Sequence, residues 1–423
     1  MRLLPTRITE TLAPPRLGPS FRWLLAATVV NNIGDGVAIS AGPLLVASQT
    51  RDPFLVSMAL LSEYLPVLLF GVLGGAIADR LDRKRMVVVV NIGRALVLVA
   101  LVATIVSGTV NIAVVLVALF VLGTAETFAD SASSTLIPSL VAREDLGIAN
   151  ARMQGAFVLM NQLVAPPIGA FLFVVGMALP FATNAAAFAL GALLVSRVAT
   201  SARERKGEGS GLAAEMVEGV RWLLAHPPMR TLALTIFTFN VTYGAAWSVL
   251  VLYAGDQLGM NEVGFGLLTT AVAVGGGAGT VSYGRLERRF SLADIMRVGL
   301  LIETGTHLVL ALTTSAAVAL GTLVVFGAHA SVWGTTSTVV RQRAVPDELL
   351  GRVTGVYHVG VMAGIVMGTP IGGWLAQQYG ITAPFWFGFV GSAILVTVLW
   401  RRFDNIVHAG DQVPHRVVAA ADS

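Results

Sequence analysis

Five charged side chains stand inside long apolar runs of this sequence: Asp35 between Gly34 and Gly36, Glu63, Arg94, Glu126 and, one turn later, Asp130. An ionised group at the centre of a hydrocarbon layer costs at least ~2.5–3.5 kcal/mol, so each needs a reason to be there. A carboxyl in such surroundings is cheap when protonated and costly when ionised. That property suits a group that must take up a proton and give it back. Asp35, Glu126 and Glu63 are therefore the candidates for proton coupling. The plainer alternative is a buried ion pair, Glu63 or Asp35 with Arg94, that ties helices together. For Arg94 that structural role is the better reading. Glu303 and His307, four residues apart, read as a second such tie.

The elements that carry these groups follow from composition. Of 423 residues, 55% are hydrophobic and 12% charged, half the charge of a soluble domain. Crossing a bilayer as a helix takes ~20 apolar residues. Twelve stretches qualify, at roughly 21–47, 53–78, 86–106, 110–134, 149–175, 179–197, 229–254, 262–284, 292–313, 316–339, 352–376 and 382–400. The expected fold is an all-α membrane protein embedded in a lipid bilayer. The one long polar interruption, at about 198–228, contains an amphipathic stretch from Gly211 to Ala225. There Leu212, Val217, Val220 and Leu224 oppose Glu215, Glu218 and Arg221.

Several classes are excluded or disfavoured. The absence of cysteine removes disulfides, iron–sulfur clusters and thiolate zinc sites. The glycines at 275–277 and 279 precede no Lys-Ser/Thr pair, so they do not cradle a phosphate. The six histidines are scattered, with no nucleophile–base–acid grouping. No enzyme, metal site or cofactor is expected. The surplus of basic residues does not point to nucleic acid, because its distribution has a simpler cause.

With the N-terminus inside, 26 of the 28 Lys and Arg residues fall in cytoplasmic segments or at their span ends. That asymmetry sets both termini in the cytoplasm. The chain also repeats. Arg80-Leu81-Asp82-Arg83-Lys84 recurs as Arg285-Leu286-Glu287-Arg288-Arg289. Gly147, Pro166, Gly169 and Gly176 recur as Gly351, Pro370, Gly373 and Gly380, and Asn32 and Gly36 as Asn240 and Gly244. The repeat predicts two six-helix bundles, residues 1–197 and 229–402, joined by a cytoplasmic linker at 198–228 and followed by a tail at 403–423.

Gly75-Ala76-Ile77-Ala78-Asp79-Arg80-Leu81-Asp82-Arg83-Lys84-Arg85 resembles the signature loop of the major facilitator superfamily, with Asp82 in place of its usual glycine. Leu136-Ile137-Pro138-Ser139-Leu140-Val141, with Leu146 and Ala149-Asn150, is similar to the third drug:proton antiporter group, which includes macrolide efflux pumps and siderophore exporters. Ala165-Pro166-Pro167-Ile168-Gly169-Ala170 resembles the antiporter motif of the fifth helix, carried by Pro166 and Gly169, with alanine replacing two glycines. The family's arginine motif on the fourth helix is missing.

The resemblance implies alternating access. Gly75, Asp79, Arg80, Arg83 and Lys84 would form a gating loop. Helices 1, 4, 7 and 10 would line a central cavity, offering Asn31, Asn32, Asn240, Tyr243, Trp247 and Trp333 to substrate. An apolar, aromatic pocket with a few acids suits bulky amphipathic compounds. The expected function is export of such a small molecule through the inner membrane in exchange for protons. The alternatives are siderophore export and proton-coupled import on the same fold.

Overall fold

In a hydrocarbon layer each backbone N–H and C=O must find its partner inside the chain, so long apolar runs fold as helices. The computed structural model describes residues 15–199, 212–400 and 403, without the side chains at 15, 72–73, 75–80, 134–135 and 212–214. The described residues are helical and contain no strand. The helices are α1 (Gly18–Gln49), α2 (Pro53–Arg80), α3 (Arg83–Val106), α4 (Ile112–Leu140), α5 (Arg143–Val175), α6 (Leu179–Ser196), α7 (Leu212–Ala225), α8 (Pro227–Trp247), α9 (Leu250–Asp256), α10 (Glu262–Arg289), α11 (Leu292–Leu312), α12 (Ala316–Ala344), α13 (Asp347–Tyr379) and α14 (Ala383–Leu399).

Ten of these are long and apolar enough to cross a membrane; α8 and α9, bent by 44° at their junction, together make an eleventh. The apolar α14 is shorter, at 17 residues. The tails at 1–14 and 404–423 and linker residues 200–211 lie outside the described residues.

Helix starts follow local chemistry. Asp82, Asn111, Asn261 and Ser291 each accept a hydrogen bond from the backbone N–H three residues on, capping α3, α4, α10 and α11. Proline occupies the first turn of α1, α6, α8 and α14, where its missing N–H costs nothing. Inside α5 the same residue has the opposite effect. Pro166 and Pro167 cannot donate to the carbonyls of Gln162 and Leu163, and the preceding residues Phe157–Val164 widen into a π-helix. The Ala165 N–H bonds Met160 O, five residues back.

One packing scheme occurs twice. Helix α1 packs on α5 and α6, as α8 packs on α13 and α14. Helix α2 packs on α4 as α10 does on α12, and α3 on α4 and α6 as α11 on α12 and α14. Between the two sets, α2 meets α13 and α5 meets α10. The repeated Gly36 and Gly244 sit at equivalent crossings. A Cβ at Gly36 would lie 2.7 Å from that of Ala165, and one at Gly244 would lie 2.5 Å from Ile365 O. Only glycine lets these backbones approach so closely.

The linker helix α7 lies against α13. Glu218 pairs with Arg352, and Leu223 is buried beside Val345 and Val353. Val217, Val220 and Leu224, the apolar face read from the sequence, are exposed instead.

Candidate functional site

A cavity of about 530 Å³ opens between the two helix sets, within the ~300–1,000 Å³ of small-molecule sites. Glu63 and Tyr64 of α2, Gln154, Gln162 and Pro166 of α5, Tyr243 and Trp247 of α8, and Thr269, Thr280 and Ser331 from α10 and α12 reach its wall. The π-helical stretch of α5 contributes Val158 and Gln162 to it. Tyr243 and Trp247, one turn apart on α8, stack with ring centroids 4.5 Å apart, and Phe326 of α12 lies 4.8 Å from Trp247. Glu63 has no ion-pair or hydrogen-bond partner among the described residues. A Cβ at Gly123 of α4 would lie 2.7 Å from Glu63 O, so the α2–α4 crossing fixes this residue's backbone.

Arg94 organises a second polar centre. Its Nη2 donates to Asp35 Oδ1 at 2.6 Å and to Glu126 Oε2 at 3.4 Å. Its guanidinium carbon lies 3.8 Å from the centre of the Phe188 ring, a cation–π contact from α6. The arginine side chain is 5% exposed, Asp35 18% and Glu126 42%. One cation therefore serves two carboxylates, leaving one negative charge in surplus until a proton arrives. Asp130, one turn beyond Glu126, is exposed.

The remaining sequence candidates are dispersed. Asn31 Oδ1 is buried without a partner, facing Gly191 of α6 rather than the cavity. Asn32 and Asn240, at equivalent places in the repeat, each donate to the carbonyl four residues back, Thr28 O at 2.8 Å and Ile236 O at 2.7 Å. Trp333 is buried between Phe239 and Phe403. Gly169 closes on the Val37 backbone of α1, and Pro166 reaches the cavity. In the signature loop α2 runs on to Arg80; the side chains of Asp79 and Arg80, with position 75, fall outside the described set. Arg83 and Lys84 form the first turn of α3.

Three features were missed in the sequence. Asp82, noted only as a departure from glycine, caps α3, and an Asp three residues before a helical N–H is a readable signal for that role. Tyr64, Gln154 and Gln162 reach the cavity from α2 and α5, which no periodicity distinguishes from lipid-facing positions. Glu303 accepts from both His307 and His329, each at 3.2 Å, and the second bond comes from a residue 26 positions away.

At one end of the molecule the two helix sets are latched. Arg51, after α1, meets Asp256, at the end of α9, at 3.3 Å. Gln377 of α13 donates to both carboxylate oxygens of Asp52, at 3.0 and 2.9 Å.

Two sets of packed spans around a largely apolar chamber with a few polar groups define a multi-pass membrane transporter of the major facilitator type. The chain belongs to the transmembrane secretion effector family of that superfamily, whose model matches residues 9–416, a family of transporters and not of enzymes. It is 27% identical to the multidrug efflux pump Tap of Mycolicibacterium fortuitum, covering 86% of this chain and 90% of that one. It is 26% identical to the enterobactin exporter EntS of Shigella boydii serotype 4, covering 91% and 93%. A bacterial homologue of the iron transporter ferroportin, solved in its inward-facing state, shares the fold with a TM-score of 0.72 at 18% identity, over 91% of this chain and 98% of that one.

Proposed function

We propose that this protein exports small amphipathic, cationic compounds through the inner membrane by proton antiport. The observation that carries the reading is the single Arg94 nitrogen shared by Asp35 and Glu126. A half-buried cluster with one charge in surplus is neutral only with a proton aboard, and neutrality is what a membrane interior favours. A proton on either carboxyl leaves the other paired with Arg94. Release of that proton restores the surplus charge, which favours the conformation that hydrates it.

The cavity supplies the substrate preference. An unpartnered Glu63 opposite stacked Tyr243 and Trp247 suits a cation with an aromatic or apolar body. A strongly anionic compound would meet an unpaired carboxylate, which weighs against a siderophore cargo. Glu63 also offers a place where cation and proton compete. The export direction draws on the related pump Tap and exporter EntS.

In this reading the chain crosses the membrane twelve times, with α8–α9 as one bent span and α14 as the last. Two bundles, 1–197 and 229–402, are joined through 198–228, and both tails are cytoplasmic. The distribution of Lys and Arg supports that orientation. The latched end bearing Arg51 and Asp256 is then the outer one, so the conformation is open inward. The signature loop from Gly75 to Lys84 is the inner gate, with Asp79 as its switching acid.

The test is accumulation of a fluorescent lipophilic cation by inverted membrane vesicles carrying the protein, with an imposed pH gradient. Uptake driven by the gradient and abolished by a protonophore is expected. Gradient-independent uptake would remove proton antiport. Exclusive transport of anions would remove the cationic substrate class.

A further inference from the structure

Beyond the chamber, α11 and α12 enclose a second titratable group of a different make-up. Glu303 of α11 receives one hydrogen bond on each carboxylate oxygen, from His307 Nε2 and from His329 Nε2, both at 3.2 Å. The three residues are 5%, 0% and 8% exposed. With Nε2 of each imidazole donating, both histidines can be neutral, and the triad then carries the full charge of the carboxylate. No basic side chain is paired with it among the described residues. The facing groups are few. Helix α12 presents His329 and Trp333. Helix α14 has no ionisable residue and meets His307 at Gly388. Helix α10, which touches α11 only lightly, sends no ion pair or hydrogen bond to the triad, and Tyr243 of α8 lies within electrostatic reach of Glu303.

A buried carboxylate between two neutral imidazoles has the mirror-image problem of the Arg94 cluster. That cluster has one cation and two acids; this one has one acid and two bases. Both use the third and fourth spans of their repeat, Arg94 with Glu126 on α3 and α4 (joined by Asp35 of α1) and Glu303 with His329 on α11 and α12. In each the neutral form holds one more proton than the form with a surplus charge. We infer that the Glu303–His307–His329 triad is a second proton-binding site, with His329 as the group that takes up and releases the proton.

The two imidazoles are not equivalent. His307 Nδ1 is sealed in the protein without a partner, packed where a Cβ at Gly388 would lie 2.5 Å away. Protonating it would bury an unsatisfied N–H donor, which is costlier than a bare acceptor. His307 therefore stays neutral and serves to position the carboxylate. His329 Nδ1 also packs against a glycine, Gly299, where a Cβ would lie 2.9 Å off, but unlike His307 Nδ1 it is not a sealed, unpartnered atom among the described residues. The incoming proton adds to Nδ1, because Nε2 already carries the hydrogen donated to Glu303 Oε2. The product is an imidazolium–carboxylate pair with no net charge. Both Nε2 atoms are turned to the carboxylate, so Nδ1 of His329 is the atom left to take up the proton.

The inference goes beyond the antiport reading and is tested without transport. The full chain, labelled with ¹⁵N-histidine and held in lipid nanodiscs, would be followed by imidazole ¹⁵N NMR through the pH range in which a free imidazole titrates. Of the six histidines, the signals of His307 and His329 are assigned by comparison with H307Q and H329Q. His329 is expected to pass from the Nε2–H tautomer to imidazolium as pH falls, while His307 keeps the neutral Nε2–H signature. In E303Q the His329 imidazolium signal should be lost at pH values where the wild-type shows it. A His329 that stays neutral throughout, or an imidazolium on His307 in its place, overturns the inference. So does an E303Q protein, shown folded by its unchanged remaining histidine signals, that keeps the His329 imidazolium.

Discussion

Arg51 and Asp256 meet at 3.3 Å across the mouth of the latched end, joining segments 205 positions apart. Their side chains are 77% and 52% exposed. An exposed pair of this kind contributes about 0–1 kcal/mol. In the proposed cycle this contact breaks once per turnover, and a weak contact suits that role.

Latching can be tested covalently, because the sequence has no cysteine. Replacing Arg51 and Asp256 by cysteine and joining them with a reducible bifunctional reagent should stop transport. Reduction should restore it. R51A alone should leave thermal stability within about 1 kcal/mol of wild type. Cross-linked protein that transports at the reduced rate would show that this end need not open.

Close helix crossings give a second prediction. G36A forces a Cβ to 2.7 Å from Ala165 Cβ, whereas G93A meets nothing within 4 Å. Overpacking of this kind costs about 1–3 kcal/mol. G36A should lower the unfolding temperature of the purified protein, and G93A should leave it unchanged. Equal stability of the two variants would mean that α1 and α5 can separate freely at this crossing.

How far these features could be read in advance differs by element. The long spans are legible because bilayer thickness fixes a minimum apolar length, and the bend between α8 and α9 leaves the hydropathy of that stretch continuous. Gly36 and Gly244 were legible as a repeat, and the structure adds why glycine is required at both. The rotation of each helix was not legible. Asn31 turns to Gly191, and Trp333 packs with Phe239 and Phe403, away from the chamber. A helix that is apolar all round has no polar stripe to separate its lipid face from its chamber face. The sequence offered Asp35 and Glu63 as partners for Arg94. The structure pairs it with Asp35 and Glu126, a choice set by how α3 packs on α4 and α6. Likewise His329 joins Glu303 only because α11 packs on α12.

The chamber wall supports a third prediction. W247A removes a ring stacked at 4.5 Å on Tyr243, and E63Q removes the unpaired carboxyl that shares its cavity. Each should weaken binding of a lipophilic cation by about 1–2 kcal/mol, roughly 5- to 30-fold in Kd. Neutral ligands of similar shape should respond to W247A and not to E63Q. Binding to purified protein, followed by ligand fluorescence, gives both values. An unchanged Kd for the cation in E63Q would move the charge recognition elsewhere.

The last prediction concerns the proposed coupling cluster, where the arithmetic of charge is decisive. Arg94 shares Nη2 between Asp35 and Glu126, so the cluster is neutral only with a proton bound. D35N leaves Arg94 paired with Glu126 alone, and E126Q leaves it paired with Asp35 alone. In either variant the Arg94 pair is neutral with no proton, and in the antiport reading it then needs none to change conformation. Both should lose uphill, gradient-driven transport while still equilibrating substrate downhill. The double variant D35N/E126Q strands a buried guanidinium, for which the loss is about 3–5 kcal/mol. It should express poorly or melt early, and adding R94Q to it should recover stability without restoring uphill transport. The measurement is substrate accumulation in vesicles with and without a pH gradient, beside the melting temperature of each variant. If D35N and E126Q both accumulate substrate uphill as well as wild type, the coupling proton does not ride on this cluster, and Glu63 becomes the residue to test.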